Sequence, residues 1–473
     1  MQTSPEKGSI EGSSDSSTLV GIIATSSVIL FACSSLRHAL FQSGAFDLGI
    51  FDQAVYLIAQ GDAPISSFLG FQILGDHAAL VFYPLALLYK IYPDVHWLLA
   101  VQAIALSSGA MPTWMLARQA GLKIQQHAIV WVYLLYPLVF NLNLFDFHPE
   151  VIALPALLWA ILAARQNKII WFCVAIATVL ICKAVLALTV VAMGFWLLIW
   201  EKRRLSGAIA ICAGIAWFLI ATQVIIPYFG SAADIERHLP RYGYLGNSFG
   251  EIAKNLFLQP GLVLGKIFSL ATLEYLSLLL LPVICLLSPQ HLTPLVGAIP
   301  TLLMNILSVA PAQRNLVHHY SLPILPFLIV AAISSLAAGR GWLRSGRAIA
   351  LWSLIAFLAL AKFGYFGSKY LESVDTWQAT REAIAQVQTN GGVLTTHQIA
   401  PHLTHRKKIK FTDANSPPAN LAEFDYILLN LRHPGWKSNP DFAASLVNQI
   451  KTTQEFTQAY QRDDVYLFKK LTK

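Results

Sequence analysis

The chain has 473 residues, of which 56% are hydrophobic and 12% charged, against about 25% charged in an ordinary soluble domain. With a mean hydropathy of +0.56, these figures exclude a disordered protein, a disulfide scaffold and a soluble multidomain enzyme. They leave an α-helical polytopic membrane protein. The net charge of +8 is spread over loops without the basic stripe of a nucleic-acid binder, so no nucleic-acid partner is expected. The cysteines, Cys33, Cys173, Cys182, Cys212 and Cys285, all lie in apolar runs and read as small buried hydrophobes with no disulfide pattern.

In chain order, residues 1–18 are polar and Ser/Gly-rich and are expected to form a disordered cytoplasmic tail. They lack the basic start and small-residue cleavage site of a signal peptide, so the apolar run behind them is expected to remain as a span. At about twenty apolar residues per crossing, spans fall near 19–40, 95–117, 126–145, 150–165, 168–182, 184–200, 206–229, 262–287, 291–309, 320–338 and 347–366. That makes about eleven in a membrane body over residues 19–367. Loops carrying Arg118 and Lys123, Arg165 and Lys168, Lys202 to Arg204, and Arg340, Arg344 and Arg347 mark the cytoplasmic side. An odd number of spans from a cytoplasmic N-terminus then places the long loop 41–94, and everything after residue 367, outside. Residues 1–367 carry 35 charged side chains and residues 368–473 carry 23, so charge density more than doubles in the last segment. There, helical patterns (376–389, 446–456) alternate with strand patterns (391–397, 424–431, 464–470), which predicts a small α/β extracytoplasmic domain.

The polar residues of the membrane body gather on the external side. Asp47 and Asp52 lie in a stretch whose residues 46, 50, 51, 54, 55 and 58 share one apolar helical face, which predicts an interfacial helix. Each acid is a general base, a metal ligand, or simply a helix cap or solvated residue. Asp76-His77 is a metal-binding or proton-relay pair, or the capped start of a second interfacial segment over 78–92. Asp146-Phe147-His148-Pro149-Glu150 places three ionisable groups within five residues at an external hairpin. Pro149 and Glu150 also suit a helix start, and the spacing is not that of a zinc protease. Lys183 falls between two short apolar runs, where a charge costs about 2.5–3.5 kcal/mol, unless it snorkels to the headgroups. Arg314, His318, His319 and Tyr320 precede the tenth span and suit a phosphate. Arg237, His238 and Arg241 lie in the loop after the seventh span, where Arg237 and Arg241 read more simply as lipid-headgroup contacts or solvated residues. Carboxylates, imidazoles and cations on one side of a membrane body predict an external reaction centre for an anionic, lipid-soluble molecule.

An uncleaved first span, a long external loop with an early acid, and two interfacial segments before a span ending in MLARQAGL form a familiar arrangement. It resembles the multispan glycosyltransferases of the C class (the GT-C fold), such as aminoarabinose transferases and protein O-mannosyltransferases. More closely, FDLGIFDQAVYLIAQGD, GDHAALVFYPLALLYK, FDFHPE and HHYSLPILPF are similar to a bacterial family of predicted membrane proteins of unknown function, over most of the chain. The C-class resemblance implies inverting transfer of a sugar to an extracytoplasmic acceptor at a bacterial plasma membrane. The donor would be a polyprenyl-phosphate-linked sugar entering from the membrane lipids. Asp47 would be the base, His77 the basic residue opening the second interfacial segment, and Lys183 with His319 or Arg314 the cations at the donor phosphate. Some relatives use a divalent cation, for which Asp76 or Asp146 with His77 or His148 would be the ligands. The C-terminal domain would cover the site and read the acceptor. Two positions depart from the C-class pattern: Leu48 follows Asp47 where an acid is usual, and Ala78-Ala79 follow His77 where prolines are usual. The residues themselves leave open which of Asp47, Asp52 and Asp76 is the base. They also admit a transporter or flippase for a lipid-linked or anionic solute, or a non-catalytic membrane assembly protein. A transporter predicts an inverted repeat and polar residues near the midplane of several spans, and the sequence displays neither.

Overall fold

The computed structural model describes residues 7–122, 125–230 and 239–471, with side chains from residue 16 onward. Lys123, Arg237 and His238 therefore lie outside the described residues, as do residues 1–6 of the expected tail; the first helix, Lys7–Ala39, begins within that tail. Among the described residues, five helices are long and apolar enough to cross a membrane: Ser16–Ala39, His96–Gln119, Arg204–Phe229, His319–Ala337 and Gly346–Ala385. The pair Pro260–Ile267 and Leu270–Leu280, bent by 48°, makes a sixth if counted as one span. Other expected spans coincide with shorter apolar helices, namely Glu150–Arg165, Ile169–Cys182, Leu186–Ile199 and Thr293–Leu307. The stretch 126–145 is broken into Gln126–Leu134 and Pro137–Asn143. Pro137 has no N–H to give and holds Tyr136 extended at ψ 122°.

Glu150–Arg165 and Leu325–Ala337 are apolar nearly all round and almost entirely buried, so they form the centre of the body. Small residues set its closest approach. A Cβ on Gly194 would lie 2.9 Å from the Gly207 carbonyl oxygen, and one on Gly207 would lie 2.8 Å from that of Gly194. Leu186–Ile199 and Arg204–Ile220 therefore meet backbone to backbone. The first loop opens with the expected helix: Ile50–Gln60 buries Ile50, Phe51, Ala54 and Val55, and with them Asp52 and Gln53. It continues through a short hairpin of β1 (Ile65–Ser66) and β2 (Phe71–Gln72), the turn Leu74–His77 and the helix Phe82–Ile91.

The two ends of the body differ in chemistry. Glu150 and Arg165 begin and end one 16-residue helix, about 24 Å apart. At the Arg165 end, Arg165 pairs with Glu201 at 2.7 Å and Arg203 donates to the Arg165 carbonyl. Asp47, His148, Lys183 and His319 collect at the Glu150 end.

After residue 392 the chain builds a five-stranded sheet, order β4-β3-β5-β7-β6. Its strands are β3 (Val393–Thr395), β4 (Ile409–Phe411), β5 (Tyr426–Asn430), β6 (Phe456–Arg462) and β7 (Val465–Lys470). The first three run parallel, and β7 and β6 complete the sheet antiparallel. Helices cover both faces: Tyr426 and Leu428 point to Trp377–Ala385, while Ile427 and Leu429 point to Pro440–Thr452. A strand covered on both sides is continuously apolar, which is why YILL reads without alternation. The helical pattern expected over 446–456 is cut at Thr452, and β6 starts at Phe456. Thr453 is extended, and from Phe456 the backbone groups pair with β7. The sheet is docked on the first loop and first helix. Ala45 N donates to the His397 carbonyl at 3.1 Å, Gln53 Nε2 to the Arg406 carbonyl at 3.0 Å, and Trp377 Nε1 to the Ala39 carbonyl at 2.8 Å.

Candidate active site

Asp47 sits in a single wide turn, Ala45–Gly49, that leads into the interfacial helix. The turn is fixed from below. Arg37 forms an ion pair with Asp146, and Asp146 Oδ2 accepts from Gly44 N at 3.0 Å. Gly44 is required for space, since a Cβ there would lie 2.7 Å from His397 Cε1. Asp47 itself is about one-third exposed, and it faces a cavity of about 970 Å³.

His148 holds that carboxylate. Its Nε2 lies 3.3 Å from Asp47 Oδ1, and its Nδ1 lies 3.1 Å from the Asp146 carbonyl. A carbonyl oxygen only accepts, so Nδ1 carries hydrogen; an ionised Asp47 requires hydrogen on Nε2 as well, which makes the ring an imidazolium. Both groups lie outside the spans. Burial is the largest single influence, lowering His148 and raising Asp47, but their hydrogen bond and the opposite charges around each together outweigh it, so His148 is raised and Asp47 lowered. Asp146 is pushed up to about 6, chiefly by burial and then by Asp47, against the pull of Arg37.

The opposite wall is a buried charge cluster. Ile169–Cys182 stops at Lys183, whose backbone is extended, and the next helix starts at Leu186. The segment after Asp76-His77 fills that gap, with Ala184 N donating to the His77 carbonyl at 2.9 Å and Val81 N to the Ile181 carbonyl at 3.1 Å. Lys183 Nζ bonds Glu150 Oε1 at 2.6 Å, and His319 Nε2 lies 3.6 Å from the same oxygen. His319 stacks on His148 with centroids 4.0 Å apart, linking the two walls. Among the described residues, Glu150 Oε2 and His319 Nδ1 have no hydrogen-bond partner. A pair this buried is weak evidence of stabilisation and better evidence of a use. Lys183 does not snorkel; its partner is Glu150.

The cavity gathers Asp47, Asp76, His77, His148, Glu150, Lys183, His319 and Tyr320 from the expected residues. Four others stand apart from it. Asp52 is fully buried under the C-terminal segment, where it accepts from the hydroxyls of Tyr89 and Thr404 and lies 3.2 Å from His405 Nε2. Asp146 serves Arg37 and Gly44. Arg314 spends its guanidinium on the carbonyls of Ile306 and Ser308, so its expected place at a phosphate is not supported by its position. His318 turns to Asn315 Oδ1 at 2.7 Å. The cation that lines the cavity instead is Arg241, 5.6 Å from the centre of the Tyr320 ring. In sequence it is one loop arginine among several, and the aromatic residue beside it is 79 positions away. Among the described residues no three His, Cys, Asp or Glu side chains gather to hold a metal ion. Asp76 and His77, 3.3 Å apart, are a two-ligand pair, and Asp146 is engaged by Arg37, so the donor set for the expected divalent cation is incomplete.

Away from these charges the cavity is apolar, lined by Phe218, Phe249, Ile252, Leu256 and Phe257. Phe257, at this apolar end of the cavity, is 85% exposed. One polar end and one apolar end match an amphiphile with an anionic head.

Comparison with known proteins agrees with this architecture. Residues 37–467 match the family described as Predicted membrane protein (DUF2079). No curated protein matches the sequence. Among solved structures, the fold is similar to that of ArnT from Cupriavidus metallidurans bound to undecaprenyl phosphate. The TM-score is 0.54 at 14% identity, with 96% of this chain and 98% of that chain covered. The likeness establishes a GT-C-like fold.

Proposed function

The chain belongs to the DUF2079 family of predicted membrane proteins, and on that premise we propose that it is a membrane glycosyltransferase that moves a sugar from a polyprenyl-phosphate donor to an extracytoplasmic acceptor. The observation that carries this reading is the facing of a partly exposed Asp47 and the Lys183–Glu150–His319 cluster across a cavity with an apolar flank. That ArnT was solved with undecaprenyl phosphate in a fold of the same kind supports it. In this reading the body crosses a bacterial plasma membrane eleven times, with its N-terminus cytoplasmic and residues 368–473 outside as a separate domain. The separation of the basic turns from the Glu150 end supports that orientation.

The donor's prenyl chain lies along Phe249, Leu256 and Phe257, and its phosphate meets Lys183, His319 and Arg241. Lys183 is held by Glu150 until the phosphate competes for it. An acceptor hydroxyl bonds to Asp47, and its oxygen attacks the anomeric carbon from the side opposite the phosphate. As that bond forms, the bond from the anomeric carbon to the phosphate oxygen breaks, its electron pair leaves with the lipid phosphate, and the hydroxyl proton passes to Asp47. Configuration inverts. The cations stabilise the charge that grows on the phosphate. His148 keeps Asp47 ionised and aimed. A phosphate leaving group is a weak base and needs no carboxylic acid to protonate it, so one base suffices.

The test is transfer from labelled polyprenyl-phosphate sugars by the purified protein in nanodiscs, with extracytoplasmic extract of the source cell as acceptor. Wild type is expected to consume donor, and Asp47→Asn is expected to lose about 10² to 10⁴ of that rate while retaining the lipid. Turnover that survives the substitution removes Asp47 from the role of base.

A further inference from the structure

A second cavity, of about 820 Å³, shares no lining residue with the donor cavity. Ile152, Pro155, Ala156, Trp159 and Ala163 recur along Glu150–Arg165 at helical spacing and form one side of it. Trp171, Val174, Ala175 and Thr178 do the same along Ile169–Cys182, and residues of His96–Ser108 close the third side. The outermost lining residues of the first side, Ile152 and Gln166, lie about 21 Å apart along the helix. An acyl chain crosses about half of a hydrocarbon core about 30 Å thick, so about 15 Å, and fits within that length.

The groove has a floor of small buried residues between rims of large exposed ones. Ala105, Ala156, Ala163 and Ala175 line it and are buried; Ile104, Trp159, Trp171 and Val174 line it and are exposed, Trp171 at 67%. On a membrane body such rims meet lipid, and an apolar trough between them gains contacts when a chain fills it. One end is polar. Lys168 and the half-buried Gln166 line the end beside Arg165. The neighbouring cations are engaged: Arg165 pairs with Glu201, and Arg203 donates to Asn167 Oδ1 at 2.8 Å and to the Arg165 carbonyl at 2.7 Å. Among the described residues, Lys168 Nζ has no such partner, and no Asp or Glu lines the groove.

We propose that this groove binds an anionic glycerophospholipid, with one acyl chain along the alanine floor and the headgroup phosphate at Lys168 and Gln166. The charge pattern chooses the headgroup. A free cation at the mouth attracts a lipid of net negative charge, whereas a choline headgroup brings its own cation and finds no carboxylate to hold it. The length chooses the tail, because a chain of ordinary length fills the groove and a polyprenyl chain overruns it. Glu150 and Lys183 stand at the far ends of the two helices that line the groove, so the lipid braces the frame of the reaction site without entering it. The site does not depend on the transferase reading.

Native mass spectrometry of the full chain tests it, with dioleoyl phosphatidylglycerol, dioleoyl phosphatidylcholine and undecaprenyl phosphate as probes. One phosphatidylglycerol per chain is expected to bind, about fivefold more tightly than phosphatidylcholine, as one cation beside an anionic headgroup provides. Lys168→Gln should lose that preference. Ala156→Phe, which puts a ring on the groove floor, should lose the bound phosphatidylglycerol. Lys202→Gln, which removes an exposed cation outside the groove, should leave it unchanged, and undecaprenyl phosphate should not displace it. Equal retention of the two phospholipids, an equal loss in Lys202→Gln, or displacement by undecaprenyl phosphate overturns the site. So does phosphatidylglycerol retained by an Ala156→Phe protein with the wild-type melting temperature. If that protein does not fold, the comparison of Lys168→Gln with Lys202→Gln decides alone. Donor turnover, present or absent, leaves this result untouched, so the two readings fail separately.

Discussion

Glu150 and Lys183 give the most exposed test of the mechanism, because the two halves of one ion pair should shift ligand binding in opposite directions. In the free protein Lys183 Nζ is 2.6 Å from Glu150 Oε1, and both side chains are nearly buried. A lipid phosphate reaching Lys183 gains a charge-assisted hydrogen bond, about 1.5–3 kcal/mol, and stands close to the Glu150 carboxylate. Two unit charges about 6 Å apart at an effective dielectric near 20 repel by roughly 3 kcal/mol. Water in the open cavity reduces that to about 1–2 kcal/mol, which is about tenfold in affinity. Glu150→Gln keeps the shape and removes the repulsion, so it should bind undecaprenyl phosphate about tenfold tighter than wild type, whereas Lys183→Met should bind it at least about tenfold weaker. Stability moves differently: each single substitution leaves a buried charge without its partner and costs about 3–5 kcal/mol, and the double substitution recovers most of it. Affinity is read by native mass spectrometry in lipid discs, and stability by thermal melts of the same samples. If Glu150→Gln binds the lipid phosphate no better than wild type while remaining folded, the competition for Lys183 is refuted.

Other outcomes follow from the same geometry. The Asp47–His148 pair lies outside the spans, with His148 raised above its ordinary 6.5 and Asp47 lowered below its ordinary 3.8. Its stabilisation is therefore complete between those values. It is lost as pH rises through the raised His148 value and as pH falls through the depressed Asp47 value. Thermal melts of wild type and His148→Gln from about pH 4 to about pH 9 should diverge most near pH 5 and converge in alkali; a pH-independent gap contradicts the pairing. Asp52→Asn leaves one of the Tyr89 and Thr404 hydroxyls without its carboxylate oxygen, at about 1–3 kcal/mol. Limited proteolysis should then cut the chain around residues 397–411 faster than in wild type, and an unchanged rate argues against Asp52 as the clasp of that segment. Gly194→Leu forces Leu186–Ile199 away from Gly207 and should cost about 3 kcal/mol or more. Gly194→Ala should cost less, and equal melting temperatures for all three proteins would show that the backbone contact is not needed.

Much of the membrane body was readable because lipid imposes a simple rule, apolar runs of sufficient length with basic residues between them. The rule weakened where proline intervened, as at Pro137, and where two 14-residue helices meet at Lys183, because length alone does not distinguish a short crossing from a buried helix. Part of each wall of the site was legible for the same reason. In an apolar chain, Asp47, His148 and Lys183 have few ordinary explanations. Partnership was not legible. Arg37 lies inside the first apolar run and carries no signal of its own, yet it holds Asp146; Arg314 reads as a phosphate ligand, yet its own loop consumes it. Arg241 reads as a surface residue until Tyr320 is placed beside it. In the C-terminal segment, β5 declared itself by a continuous apolar run. β4 has three residues and takes its identity from pairing with β3, which no local pattern encodes.

The docking of residues 397–411 on the loop around Asp47 has a consequence for how the protein is made. The turn that carries Asp47 leaves the ribosome well ahead of the segment that roofs it, to which it is bonded through Ala45 with His397 and Gln53 with Arg406. Until residues 397–411 are made, that loop stands without its cover. The loop around Asp47 therefore takes its final surroundings late, from a segment about 350 residues further along the chain.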